Sequence, residues 1–207
     1  MRDTVISGNS ALGSAGMYSG VLGNVDIKDS TISNNSANGA YGGLALVNAT
    51  SAVLSNVQIL NNSAAGNAGG ISIRPGSGDI DININDSTIS GNSSDQDGGG
   101  MYIRSSSNNS ITININRTLI TNNVAMEDGG GIFSYIPFAL TNSTVSGNTS
   151  AGDGGGIRSF RSLGLTNSTV SNNTSTGDGG GIILAIGSLD LINSTVSNNT
   201  SLSLIHI

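Results

Sequence analysis

The chain has 207 residues, of which 36% are hydrophobic, 10% are charged and 31 are glycine. Its formal net charge of −6 disfavours nucleic acid as a partner, because nucleic-acid-binding surfaces are basic. Cysteine is absent, which excludes a disulfide framework, and no run of about 18 apolar residues predicts a membrane-spanning helix. The hydrophobic residues recur at regular intervals, so we expect a thin ordered core and not a disordered chain.

An aliphatic residue followed three positions later by asparagine recurs along the chain. The first copy is Ile6 with Asn9, and later copies follow at spacings of 25 to 31 residues, which are typical of stacked repeat units. We expect these asparagines to stack from turn to turn and to form a ladder of hydrogen-bonded side-chain amides. The predicted ladder consists of Asn9, Asn35, Asn62, Asn92, Asn123, Asn148, Asn173 and Asn199.

Each repeat predicts three short strands in chain order. The first strand opens with Gly-Ile, the second has the pattern Leu-x-Leu, and the third, Thr-Val-Ser, leads into the ladder asparagine. Alternation such as Ile80, Ile82 and Ile84 is the period-two signature of a strand with one buried face. The apolar phase shifts between the second and third strands, which predicts a bend at residues that tolerate the left-handed conformation. The predicted bend positions are Asp3, Asp29, Asn56, Asp86, Arg117, Asn142, Asn167 and Asn193.

The repeat therefore predicts an all-β fold, a right-handed parallel β-helix (a solenoid) of about eight turns with three short strands per turn. Each turn buries its inward Ile, Leu and Val only against neighbouring turns, which explains why the sequence repeats. The glycines before each Gly-Ile strand are expected to form a corner that needs positive φ and to leave a flat strip outside. Residues 1–201 are predicted to form one uncapped β-helix whose exposed strand edges favour end-to-end self-association.

Both ends of the chain depart from what an independent solenoid would show. Residues 202–207 break the repeat and match the translation of a transposase-type sequencing-adapter end, which predicts read-through; a natural apolar terminal strand is the alternative. The first residues run directly into a repeat and carry no signal-peptide pattern.

The Gly-Gly-Gly-Ile and Val-Ser-x-Asn elements resemble the repeats of bacterial parallel β-helix proteins, within the pectate-lyase-like superfamily. They are most similar to those of chlamydial polymorphic outer-membrane proteins and autotransporter passengers, with Ile or Val in place of the family's Phe before the asparagine. The resemblance spans residues 4–201. It implies an extracellular or cell-surface protein, but this architecture carries adhesins, passengers and polysaccharide enzymes alike.

Outward positions of the Gly-Ile strands predict a candidate ligand-binding face. Aromatic rings beside arginines suit sugar stacking and carboxylate recognition, so a polysaccharide or a host surface is the expected partner. A cross-strand ladder that only stiffens the sheet is the alternative. The residues of this face are Arg74, Tyr102, Arg104, Phe133, Tyr135, Arg158 and Phe160.

A column of aspartates lies four residues before the inward apolar residue of each Gly-Ile strand. Carboxylates stacked one turn apart repel each other unless they are solvated or bridged, so calcium is a candidate ligand there; turns that face water are the alternative. The candidate calcium ligands are Asp97, Asp128, Asp153 and Asp178. Insertions at 75–78 and 105–110 are expected to be either a wall of the binding face or idle loops.

Three functions remain open at this point. The sequence favours an adhesin or ligand-presenting stalk. A calcium-dependent polysaccharide lyase or hydrolase would use Asp128 and Asp153 with Arg158 as the base, although no catalytic Cys–His or Ser–His arrangement is available. A purely structural spacer is the third possibility.

Overall fold

The structure is a computed structural model, which describes residues 1–20, 23–76, 80–105 and 111–202. These residues form strands, bends and turns, and no helix occurs among them. The strands pair in parallel with strands one repeat away, so each repeat forms one turn of a solenoid. The prediction of a right-handed parallel β-helix is therefore confirmed.

Three sheets run along the axis of the solenoid. Sheet 1 has 13 strands: β1 (Val5–Ser7), β4 (Asn24–Ser33), β7 (Ser51–Leu60), β10 (Ile80–Asn85), β11 (Thr88–Ser90), β14 (Ile111–Asn116), β15 (Leu119–Thr121), β18 (Phe138–Thr141), β19 (Thr144–Ser146), β22 (Leu163–Thr166), β23 (Thr169–Ser171), β26 (Leu189–Ile192) and β27 (Thr195–Ser197). Sheet 2 has eight: β2 (Ser10–Ala11), β5 (Ser36–Ala37), β8 (Ser63–Ala64), β12 (Ser93–Ser94), β16 (Val124–Ala125), β20 (Thr149–Ser150), β24 (Thr174–Ser175) and β28 (Thr200–Ser201). Sheet 3 has seven: β3 (Met17–Ser19), β6 (Leu44–Val47), β9 (Ile71–Arg74), β13 (Met101–Ile103), β17 (Ile132–Ser134), β21 (Ile157–Ser159) and β25 (Ile182–Leu184).

The predicted bends are confirmed at every position. Each of the eight residues predicted there has a φ between 47° and 54°, including Arg117, for which this conformation is unusual. A second left-handed corner precedes each ladder asparagine, for example at Asn122 and Asn172. Together these corners turn the chain so that the next strand faces a different side of the core.

The core is a column of aliphatic side chains stacked in register. Ile120, Val145 and Val170 pair successively across β15, β19 and β23, and none of the three is exposed. The same holds for Met101, Ile132 and Ile157 in sheet 3. Because the apolar side chains of one turn pack against those of the neighbouring turns, one repeat has no core of its own.

Two features of each turn differ from the prediction. The Leu-x-Leu and Thr-Val-Ser strands lie in one sheet, and in β4 and β7 they run together through the bends at Asp29 and Asn56. The sequence did not predict the strands of sheet 2, because each has only two residues, which are too few to show an alternating pattern. The described residues form about seven turns, closed by seven strands in sheet 3.

The glycine strip is buried, so the prediction of a flat outer strip was wrong. In the third turn with three glycines, only Gly154 has positive φ, at 66°. A Cβ on Gly155 or Gly156 would lie 2.4–2.5 Å from backbone atoms of the following turn. These glycines are therefore required by close approach between turns rather than by conformation.

Some sequence-based expectations fall outside the described residues. These are most of the two insertions, at 77–78 and 106–110, and the terminal residues 203–207. Across the part of the chain that the structure describes, no helix is long and apolar enough to cross a membrane.

Candidate functional site

The ladder asparagines form one continuous hydrogen-bonded column. Asn148 is representative: its Nδ2 donates to Asn173 Oδ1 at 2.9 Å and to Ile120 O at 3.0 Å, while its Oδ1 accepts from Asn123 N at 2.9 Å and from Asn123 Nδ2 at 3.0 Å. Equivalent amide-to-amide bonds of 2.8–3.0 Å join Asn9, Asn35, Asn62, Asn92, Asn123, Asn148, Asn173 and Asn199 in order. The column satisfies buried backbone groups at a corner, so its role is structural.

A second buried column, of hydroxyl groups, follows the bends of sheet 1. Ser143 Oγ accepts from Thr118 N at 3.1 Å, and Ser143 N in turn donates to Ser168 Oγ at 3.1 Å. The column is interrupted at Val57, which is 1% exposed and has no hydroxyl. Sequence reasoning missed this column, although a Ser or Thr directly after seven of the eight bend residues was its signal.

The aspartate column is also bonded from turn to turn. Asp128 Oδ1 accepts from Asp153 N at 2.7 Å, and Asp153 Oδ1 accepts from Asp178 N at 2.8 Å. Asp97 Oδ1 accepts from Asp128 N at 3.2 Å. The carboxylates of Asp97, Asp128 and Asp153 thus each satisfy a backbone N–H of the next turn.

The carboxylates of the aspartate column do not cluster around one point. Within the described ranges, no three His, Cys, Asp or Glu side chains form a group able to hold a metal ion. Calcium at Asp97, Asp128, Asp153 and Asp178 stays a prediction.

Partial burial raises the pKa of Asp97 to about 6. The hydrogen bond from the Asp128 backbone opposes this rise, whereas the negative charges of Asp128 and Glu127 add to it. Asp97 therefore titrates closer to neutrality than an ordinary carboxylate does.

Arg158 is committed to the aspartate column. It forms ion pairs with Asp153, through Nη1, and with Asp128, where Nε lies 3.2 Å from Oδ2. The distance between Arg158 Nε and Asp128 Oδ2 is that of an ion pair, but their geometry is not that of a hydrogen bond. Both carboxylates engage the guanidinium group, so this arrangement does not favour the free arginine base that a lyase would need.

Two rings predicted to face a ligand are in fact covered. Tyr102 and Phe133 lie on the outer side of sheet 3, as the alternation predicts, but they are only 5% and 1% exposed. They stack on each other, with ring centroids 5.5 Å apart, inside a small hydrophobic cluster that also contains Tyr41. The turn at Gly129 lies directly over Phe133, since a Cβ on Gly129 would come within 2.7 Å of Phe133 Cβ. The prediction that these two rings are available to a ligand was wrong.

The remaining face residues apart from Arg74 form a partly exposed stack of two aromatic rings between two arginines. Arg104 lies over the Tyr135 ring at 5.5 Å, Tyr135 stacks on Phe160 at 4.7 Å, and Arg158 lies over Phe160 at 5.0 Å. Tyr135 is 38% exposed and Phe160 is half-buried. We call these four residues the arginine–aromatic stack. Both faces of the Tyr135 ring are occupied, so the stack offers ring edges, the tyrosine hydroxyl and the Arg104 guanidinium group to solvent.

Arg74 lies at the end of the stack, beside a small cavity. Its Nη1 donates to the Tyr41 hydroxyl at 2.5 Å. Val47, Asn48, Arg74, Pro75 and Arg104 line the cavity, which has a volume of about 270 Å³. Sequence reasoning missed Tyr41, because it precedes strand β6 and occupies the corner position that Ala68 fills in the next turn.

Residues 142–159 match the family model of the Chlamydia polymorphic membrane protein repeat. They run from the bend at Asn142 through the ladder residue Asn148 to strand β21, and they do not include the Leu-x-Leu strand of a turn. The chain is a β-helix repeat protein similar to the polymorphic membrane proteins. No curated protein and no solved structure matches it.

The match indicates a protein of the outer-membrane or surface class. In this β-helix repeat protein, the matched residues include the structural Asn148 and the ion pair between Asp153 and Arg158. Arg74, Arg104, Tyr135 and Phe160 lie outside the matched segment.

Proposed function

We propose that this chain is part of an extracellular or surface-exposed adhesin or ligand-presenting stalk, whose binding surface is the arginine–aromatic stack. One observation carries the proposal. The chain has only four tyrosines and three phenylalanines, yet Tyr135 and Phe160 lie exposed or half-buried between two arginines on one face.

The exposure of this stack favours a role in ligand binding over a role in stiffening the sheet. The cluster beneath it, with Phe133 at its centre, already packs the outer side of sheet 3. Tyr135 and Phe160 extend beyond that cluster, where exposed apolar surface costs solubility unless it serves an interaction. Tyrosine and arginine are also the residues most enriched at the energetic centres of interfaces.

The same geometry indicates how a ligand would be recognised. Neighbouring side chains cover both faces of the Tyr135 ring, so a sugar does not stack flat on it. Hydrogen bonds from guanidinium groups and the tyrosine hydroxyl are the interactions left for a glycan or a protein surface. The ligand we propose is a host-surface or microbial glycan that offers hydroxyl and acidic groups.

The experiment is a binding screen of the full chain, coated on beads, against a glycan array and cultured host cells. Tyr135→Ala and Phe160→Ala are compared with wild type, and each protein is tested with and without added calcium. Tyr18→Ala is the matched control, because Tyr18 is 57% exposed on strand β3, away from the stack.

The proposal predicts that both stack variants lose binding, whereas Tyr18→Ala retains it. Equal binding by all four proteins would show that the stack binds no ligand and that the rod is a spacer. Calcium-dependent release of unsaturated sugars from a polysaccharide would show lyase activity instead.

We also propose that the 207-residue chain self-associates end to end. Within the part of the chain that the structure describes, strands β26, β27 and β28 each pair with a neighbour on one side only, and Leu191 and Val196 are 49% and 44% exposed. Unpaired strand edges beside apolar side chains template further pairing. Light scattering over a concentration series should show growing particles, and a monomer at every concentration would contradict this.

A further inference from the structure

The cavity beside the stack brings together two arginines from successive turns. Arg74 ends strand β9 and pairs in register with Val47, and Arg104 follows strand β13, with Arg104 N donating to Ile73 O at 3.0 Å. Both side chains line the same cavity, together with Asn48 and Pro75. Adjacent positions in parallel strands lie about 4.8 Å apart, so the backbones of the two arginines lie side by side at one edge of the cavity.

Neutral groups hold each guanidinium in place. Arg74 donates to the Tyr41 hydroxyl, and Arg104 lies over the Tyr135 ring. A hydrogen bond with the Tyr102 side chain raises the pKa of Arg104 further above its ordinary value. A hydroxyl or a ring orients an arginine without cancelling its charge, and an arginine has five N–H donors, so donors remain for a ligand.

Two other arginines differ from Arg74 and Arg104, because they form ion pairs with carboxylates. Arg117 pairs with Asp86, and Arg158 pairs with Asp128 and Asp153. Among residues 1–20, 23–76, 80–105 and 111–202, no carboxylate lies within ion-pair distance of Arg74 or Arg104. In a chain of net charge −6, these two arginines form a local positive site that the described acidic residues leave unneutralised.

We propose that this cavity is an anion-binding subsite for one carboxylate or sulfate group of an acidic glycan. The inference rests on the proposed function and adds the ligand's chemical class to it. An anion in the cavity would accept charge-assisted hydrogen bonds from the two arginines that line it. A volume of about 270 Å³ suits a single charged substituent with part of its sugar ring.

The position of the cavity sets the direction of the bound ligand. Arg104 belongs both to the cavity and to the arginine–aromatic stack. A glycan anchored there by its acidic group would continue along the axis past Tyr135 and Phe160.

The test is calorimetric titration of the full chain with sialyllactose, a sulfated lactose, unmodified lactose and inorganic sulfate. The variants are Arg74→Gln and Arg104→Gln. Arg161→Gln is the control, because it removes the same charge from an exposed arginine that lies outside the cavity. Circular dichroism establishes that each variant keeps its strands.

We expect wild type to prefer at least one acidic sugar over lactose, and each cavity variant to lose that preference. The loss should be at least about tenfold, since a hydrogen bond to a charged group is worth about 1.5–3 kcal/mol. Arg161→Gln should bind like wild type.

Three results would overturn the subsite. The first is equal affinity of wild type for acidic and neutral sugars, and the second is an equal loss in Arg161→Gln. The third is binding of inorganic sulfate as tight as that of the sulfated sugar, which would indicate an adventitious ion only. The binding screen with Tyr135→Ala is independent of this titration. Retained cell or glycan binding by Tyr135→Ala would mean that the stack proposal fails, whereas any of the three results above together with lost binding by Tyr135→Ala would mean that only the subsite fails.

Discussion

Asn148 shows why each repeat keeps its asparagine. The side chain is fully buried and takes part in four hydrogen bonds that join three successive turns. A buried polar group left without a partner costs about 1–3 kcal/mol, and a residue without an amide would leave several such groups.

Replacement of Asn148 by leucine should therefore destabilise the chain by at least about 3 kcal/mol. Asn114→Leu is the matched control, because Asn114 is exposed and its amide bonds only Asn83 Oδ1, at 3.1 Å. Urea denaturation followed by circular dichroism measures both. Similar midpoints for the two variants would show that the column does not stabilise the fold.

Asp97 should give the chain a defined pH dependence. Its pKa of about 6 in the folded chain lies above the ordinary value of 3.8, mainly because of burial. Between these values the folded state binds more protons than the unfolded state, so this residue lowers stability as pH rises from about 4 to about 6.

Asp97→Asn should remove that contribution while keeping the acceptor for Asp128 N, as Asn67 already does for Asp97 N at 3.2 Å. The variant should gain stability relative to wild type as pH rises through this window. Urea denaturation of both proteins at pH 4, 5, 6 and 7 provides the comparison. A difference that stays constant with pH would contradict the assignment.

At the scale of the strand and corner, close approach between turns constrains the glycines. A Cβ on Gly131 would lie 2.6 Å from Gly156 O and 3.0 Å from Asn148 Nδ2, whereas a Cβ on Gly164 would meet only Ala139 Cβ, at 3.9 Å. Gly131→Ala should cost about 2 kcal/mol or more, and Gly164→Ala should stabilise by about 0.5 kcal/mol. Thermal denaturation separates the two, and equal effects would argue against close packing at the corner.

The interruption of the hydroxyl column at Val57 allows a second test at this scale. A threonine there would place a hydroxyl in the position that Ser87 and Thr118 occupy in later turns. Val57→Thr should therefore be close to neutral, whereas Val170→Thr, in the aliphatic core, should cost about 1–2 kcal/mol. Equal costs in chemical denaturation would mean that the column contributes little.

The sequence predicted those parts of each element that depend on local pattern. The alternation around Val145 and the bend at Asn142 follow from side-chain phase and backbone preference, and both are present. The burial of Phe133 could not be predicted, because alternation tells which side of a sheet a residue faces and not which turn covers it. Tyr41 escaped prediction because it contacts Arg74 across 33 positions of sequence.

At the scale of the whole molecule, the stacked turns create the binding surface. Arg74, Arg104, Tyr135 and Phe160 come from four successive turns, so none of them would meet without the parallel register of sheet 3. The repeat thus has two consequences: its invariant positions build the rod, and its variable outward positions build the proposed ligand site.

The register between turns is the central claim, and engineered cysteines test it most directly. The chain has no native cysteine, and Thr144 pairs with Thr169 on the outer side of sheet 1. Because parallel neighbours lie within the Cα separation of about 4.4–6.8 Å that a disulfide requires, Thr144→Cys with Thr169→Cys should form a disulfide under mild oxidation. Thr144→Cys with Ser171→Cys, offset by two residues, should not. Mass spectrometry of the monomer quantifies both, and equal disulfide formation in the two pairs, or none in the paired positions, would contradict the stacked β-helix.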